Sequence, residues 1–213
     1  CPTPGADYNQ TAREARLAVF LCPSDEPPGS PAYPGNSYRA CTGSGPYADR
    51  HEIAGGQAPN GLFYHYSSTR IADIRDGASQ TASFAEMVVG QNGDPSDALL
   101  ANVATDQFLN DDPCAAGTTG TYGLQGWFYY YNLTDSTYNH TRRPNDPRPN
   151  CYNTGRQWNI FQGRMAASSR HPGGVNLLLA DGSVRFVKDS LQPDVWRALA
   201  SRNGREVIGA DQY

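Results

Sequence analysis

Long apolar runs are missing from this chain: no window holds the ~18–20 consecutive apolar residues that a membrane-spanning helix needs. Charge is scarce too. Asp, Glu, Lys and Arg make up 18% of the residues and hydrophobic types 38%, both low for a cytosolic domain. No excess of one sign exists either, since the net charge is −4 and the pI about 5.5. That balance leaves no basic face for nucleic acid and none for an anionic membrane surface. There is no Cys-x-x-Cys spacing, which speaks against a zinc knuckle or a thioredoxin-like centre. His51, His65, His140 and His171 are scattered with no His-x3-His pair, so a zinc or copper centre is not expected. No Gly-x-Ser-x-Gly elbow, internal repeat or low-complexity tract is found.

What is plentiful instead is Gly (22), Pro (16) and Tyr (13), so turns and irregular loops must occupy much of the chain. Five cysteines in such a chain point to an oxidising compartment. They allow at most two internal bridges. Cys22–Cys41 and Cys114–Cys151 are favoured, each closing a loop of a size that stabilises by roughly 3–4 kcal/mol. Cys1 is then left for another chain or for a region outside these residues. Five free thiols is the competing reading.

Along the chain, Gln10 to Leu21 reads as a short helix that stops at Pro23. Ser37–Thr42 and Gly61–Tyr66 read as strands, and Thr81–Val89 as a buried strand holding one carboxylate, Glu86. Gln192–Ser201 closes the chain as a helix with Pro193 in its first turn. The clearest local pattern is His171-Pro-Gly173-Gly174 followed by an apolar strand, Asp181-Gly182 and a second, alternating strand. Asp-Gly between two such arms predicts a hairpin with a two-residue type I′ turn. The first arm is apolar on both faces apart from Asn176, which marks a central strand.

The His171-x9-Asp181-Gly182 spacing resembles the motif of the DUF1559 proteins, a pseudopilin-like family abundant in planctomycetes. Four further blocks are similar to the family's, in the same order: Phe20-Leu-Cys22-Pro-Ser-Asp25; Ser37-Tyr-Arg-Ala-Cys41-Thr-Gly; Asp76-Gly77-Ala-Ser79-Gln-Thr81 with Glu86; and Trp196-Arg-Ala-Leu199 with Arg202 to Ile208. The resemblance implies an α+β fold. It would be a single pilin-like head over residues 1–213, with an antiparallel meander sheet, short helices near both ends and a variable insertion over 94–163. It also implies a non-enzymatic, extracellular, cell-surface or periplasmic structural protein, a head of a type IV pilin-like or type II secretion pseudopilin-like subunit. Its partners would be other protein subunits, as a homo-oligomer or filament. The family's prepilin leader and apolar helix are not among these residues, so any membrane contact would run through an N-terminal helix outside them, and polymerisation by this chain itself is less expected.

Chemistry-bearing residues have bland readings beside the sharp ones. His171 is expected to pin the start of its strand by bonding neighbouring backbone, with Gly173 and Gly174 permitting a tight bend. Asp181 is a turn former before it is an acid. Asp76, Gly77 and Ser79 read as a capped turn rather than part of a hydrolytic triad. Glu86, buried in an apolar strand, needs a partner, with Arg39, Arg70 or Arg170 as candidates. No catalytic residue, metal ligand or cofactor is assigned. Asn92, Asp94 and Asp97, and Asn110, Asp111 and Asp112, supply clustered oxygens of the kind calcium takes, without EF-hand spacing. Trp127, Phe128, Tyr129, Tyr130 and Tyr131 form an aromatic run that would be buried, or meet a subunit, or stack on sugar faces. The last possibility defines the rival function, a secreted carbohydrate- or solute-binding module. Sequons at Asn9, Asn132 and Asn139 suggest that the loop around the latter two is at the surface.

Overall fold

In the computed structural model, described residues are 10–13, 15–25, 35–49, 58–89, 100–103, 118–120, 136–148, 150–153, 162–206 and 208–209. The described elements are α1 (Gln10–Arg13), β1 (Tyr38–Cys41), β2 (Ala82–Glu86), β3 (Leu100–Val103), β4 (Thr118–Gly120), β5 (Thr137–Tyr138), β6 (Asn150–Asn153), β7 (Gly163–Arg164), β8 (Gly174–Leu179), β9 (Val184–Lys188) and α2 (Pro193–Ala200). The fold is α+β. Its main sheet has the order β5-β1-β2-β8-β9, and a second sheet runs β4-β3-β6-β7. In the main sheet β1, β2, β8 and β9 form an antiparallel meander, to which β5 adds as a parallel edge strand. All of β3 to β7 fall between β2 and β8, so the chain leaves the meander at Glu86 and returns to it at Gly174.

The two faces of this sheet differ. Val175, Leu177 and Leu179 of β8, Ala82 and Ala85 of β2, and Val187 of β9 point into a core closed by Trp196 and Leu199 of α2. The i, i+3, i+4 spacing of Trp196, Leu199 and Ala200 sets one helix stripe against the strands, and all three are buried. Tyr38, Ala40, Phe84, Leu178 and Val184 line the opposite face, which forms an open cleft of about 770 Å³. Val184 and Phe186 alternate out of the core as the sequence pattern requires, onto an exposed apolar surface.

Three local readings are corrected. The helix expected over Gln10–Leu21 is a single turn followed by a 3₁₀ turn at Ala18–Phe20; Leu17 and Val19 are exposed there, so no apolar stripe is buried to hold a longer helix. Gly61–Tyr66 contributes an isolated bridge from His65 to Asp49, bends at its start and turns at its end, where Tyr66 has φ 59°. The hairpin has a three-residue loop: Gly182 N–H donates to Leu179 O, Leu179 N–H donates to Ser183 O, and only Gly182 has positive φ, 87°. This is a type I turn closed by a glycine bulge rather than type I′, and Asp181 accepts from Ser183 N–H at 2.9 Å and Ser183 Oγ–H at 2.6 Å.

Candidate functional site

Three loops meet at the end of β2. Cys22 begins a turn closed by Asp25 N–H donating to Cys22 O. The Asp25 carboxylate then accepts from Val89 N–H at 2.7 Å and from Ser37 Oγ–H at 3.3 Å. It also faces Arg170 at 3.7 Å. The Cys22-Pro-Ser-Asp25 element is thereby fastened to the strand exit after Glu86 and to the loop before β8. That loop is drawn in by Ser168, whose N–H donates to Glu86 O while its Oγ accepts from Val88 N–H at 3.1 Å. Ser169 and Asn145 both donate to Gly174 O, at 2.7 and 3.2 Å. Gly173 supplies a positive φ, and a Cβ on Gly174 would sit 2.2 Å from Val187 O.

These fastenings bring a thiol, a carboxylate and an imidazole together. His171 Nε2 lies 3.1 Å from Glu86 Oε1 and 3.6 Å from Cys22 Sγ, and Sγ lies 3.6 Å from Oε1. Cys22 and Glu86 are buried, His171 partly exposed. Asn176 orients the carboxylate, its N–H reaching Oε2 at 2.7 Å and its Nδ2 reaching Oε1 at 3.1 Å. Removal from water, then the Glu86 and Asp25 carboxylates, raise the Cys22 thiol above its ordinary pKa.

The expected role of His171 therefore changes: its imidazole engages Glu86 across 85 residues, while its backbone N–H is held by Ser169 Oγ. Glu86 is paired by His171 and Asn176; of its expected arginine partners, Arg70 meets Asp73 and Arg170 meets Asp25. Cys22 and Cys41 are free thiols, which overturns a Cys22–Cys41 bridge. Cys22 turns toward Glu86, whereas Cys41 is completely buried beside Tyr138, its pKa pushed up to about 12 by desolvation. Cys151 is disulfide-bonded; Cys1 and Cys114 lie outside the described residues. So do Trp127 to Tyr131 and both proposed calcium clusters.

Asp76, Gly77 and Ser79 sit at the other end of β2. Asp76 accepts from Gly204 N–H and Arg205 N–H, each at 2.7 Å, tying the turn to the C-terminal tail instead of capping locally. Asn139 is fully buried and donates to Gly163 O at 2.8 Å, so that sequon is not a surface site. Cys22, His171 and Asn176 are the site members that sequence reasoning left unconnected to Glu86. The signal available was that Cys22, Glu86 and His171 each belong to a separate one of the recognised blocks.

No curated protein and no solved structure matches the chain. A family model described as "Protein of unknown function (DUF1559)" matches residues 2–194. With that match covering both the Cys22 turn and the hairpin, the chain belongs to the DUF1559 family.

Proposed function

We propose that this protein is the globular head of a pilin-like or type II secretion pseudopilin-like subunit, placed outside the cytoplasm and acting by assembly rather than catalysis. What supports this reading is the two-faced meander sheet. One face is closed by α2, and the other is an apolar cleft lined by Phe20, Phe84, Leu178 and Val184. The cleft is lined by apolar side chains from four strands and open to solvent, and such a trough suits an apolar helix lying against a sheet. In this reading the occupant is the N-terminal helix of the pilin-like subunit, and neighbouring subunits complete the assembly.

Leu178→Asp in the protein as the cell makes it tests this. The variant head should stay folded by circular dichroism, because Leu178 points away from the core, while the protein disappears from the sheared, assembled surface fraction. Undiminished assembly of the variant would overturn the proposal. So would a monomeric native protein whose tryptophan fluorescence saturates with oligosaccharide and loses that response in Trp127→Ala, which would establish the binding module instead.

A further inference from the structure

We propose that Cys22, Glu86 and His171 form a binding site for a divalent transition-metal ion of the zinc class. The three side chains offer one sulfur, one oxygen and one nitrogen, with all the ligand atoms within 4.8 Å of one another. Zinc bonds of about 2.3 Å to sulfur and about 2.0–2.2 Å to nitrogen and oxygen, at tetrahedral angles, separate neighbouring ligand atoms by roughly 3.3–3.6 Å. The observed edges are 3.6 Å for sulfur to nitrogen, 3.6 Å for sulfur to oxygen and 3.1 Å for nitrogen to oxygen. Both sulfur edges have the length of a tetrahedral face, and the nitrogen–oxygen edge needs to open by only about 0.2 Å to reach it.

The arrangement differs from a nucleophile relay. In a relay the thiol meets one ring nitrogen and the carboxylate the other. Here Sγ and Oε1 both approach Nε2, which is convergence on a point. Charge agrees with an ion at that point. A thiolate, a carboxylate and a neutral imidazole around a dication sum to zero, a balance that a largely buried site requires. The thiol proton leaves to solvent as the ion enters.

Ligand type selects the ion class: thiolate and imidazole favour zinc-like ions over calcium or magnesium, which take oxygen. The frame is prebuilt as well. Asn176 holds both oxygens of Glu86, the outer support that metal-binding carboxylates use, and Asp25 fixes the Cys22 turn. The His171 side chain, 28% exposed, opens the fourth position to water or to an exogenous ligand. Glu86 and Asn176 also line the apolar cleft, so the ion would staple the Cys22 turn to the sheet at the rim of that cleft. The site stands independently of the assembly reading.

The test uses the native protein, stripped with chelator under conditions that leave its disulfide intact, with Cys22 verified as a thiol by mass spectrometry. Titration with Co(II) should give one equivalent bound, a near-ultraviolet thiolate charge-transfer band and tetrahedral d–d absorption, all displaced by Zn(II). Cys22→Ser should abolish the charge-transfer band and Cys41→Ser should keep it. Asn176→Ala, which leaves all three ligands in place, should weaken Zn(II) binding about 10–100-fold. A wild type that shows no band, or that binds Ca(II) alone, overturns the proposal. So does a band that survives in folded Cys22→Ser. Should Cys22→Ser fail to fold, the wild-type spectrum and the Asn176→Ala affinity decide.

Discussion

The imidazole of His140 lies flat on the indole of Trp196, with ring centroids 3.5 Å apart and planes within 5°. Its Nδ1 also meets the Trp196 carbonyl at 2.5 Å. A carbonyl can only accept, so Nδ1 carries the proton, and Nε2 is left to accept from Tyr138 Oη–H at 3.1 Å. Trp196 Nε1–H in turn donates to Arg142 O at 2.6 Å. One residue of α2 is thereby held through its ring face, its ring N–H and its backbone by the segment that follows β5.

This arrangement makes folding sensitive to acid. Burial lowers the His140 pKa from 6.5 to about 3. Above pH 6.5 neither folded nor unfolded chain holds this proton, and His140 costs nothing. Between those limits the unfolded chain takes the proton up and the folded chain does not. Stability should therefore fall by about 1.4 kcal/mol for each unit of decreasing pH. Urea midpoints for wild type and His140→Gln across this range check it: the variant should show the shallower slope from pH 6 to 4.

Trp196→Ala should destabilise by about 3–5 kcal/mol, because it removes a fully buried ring, the stack on His140 and the bond to Arg142 O. Trp196→Phe keeps most of the ring volume and should cost clearly less. Denaturant unfolding of the three proteins measures the order, and equal midpoints for Ala and Phe would contradict it.

Gly182→Ala should cost about 1–2 kcal/mol, since φ at this position is +87° and a Cβ is disfavoured there. No neighbouring atom blocks the added carbon, so the loss should come from backbone conformation alone. Gly182→Asn, which tolerates that region better, should recover part of the lost melting temperature.

The two described free thiols should behave differently. Cys22, buried behind the partly exposed His171, should react slowly with a small alkylating reagent in the native state. Cys41, completely buried with its pKa at about 12, should react only after unfolding. Non-reducing peptide maps should contain no Cys22–Cys41 peptide.

His171→Ala should destabilise by about 1–3 kcal/mol, because buried Glu86 loses a partner. A melting temperature unchanged from wild type would show that water or a neighbour replaces the imidazole at no cost.

Where a structural outcome depends on side chains a few residues apart, it was legible in the chain. β8 and β9 follow from their apolar and alternating runs, and α2 from Pro193 and the Trp196–Leu199–Ala200 stripe. The family blocks carried the α+β assignment, with the meander as its frame. Where a local pattern had no tertiary surface to meet, the reading failed: Gln10–Leu21 has helical composition, yet Leu17 and Val19 find nothing to bury them, so propensity alone sustains only single turns.

The site was legible as residues and not as a site. Cys22, Glu86 and His171 could each be singled out, as a turn cysteine, a carboxylate in an apolar strand and a histidine before a hairpin. Their union depends on pairings across 64 and 85 residues, which hydrophobic periodicity does not encode. The sequence by itself determined the strands β1, β2, β8 and β9, the helix α2 and where the hairpin turns, because those follow from side-chain pattern and backbone sterics within a few residues. The tertiary structure alone decided that Cys22 faces Glu86 rather than Cys41, that Asn139 is buried, and that His171 turns from its own backbone to a distant carboxylate. Those outcomes follow from which loops the docked strands bring to one edge, and from the need of a buried charge for the nearest partner.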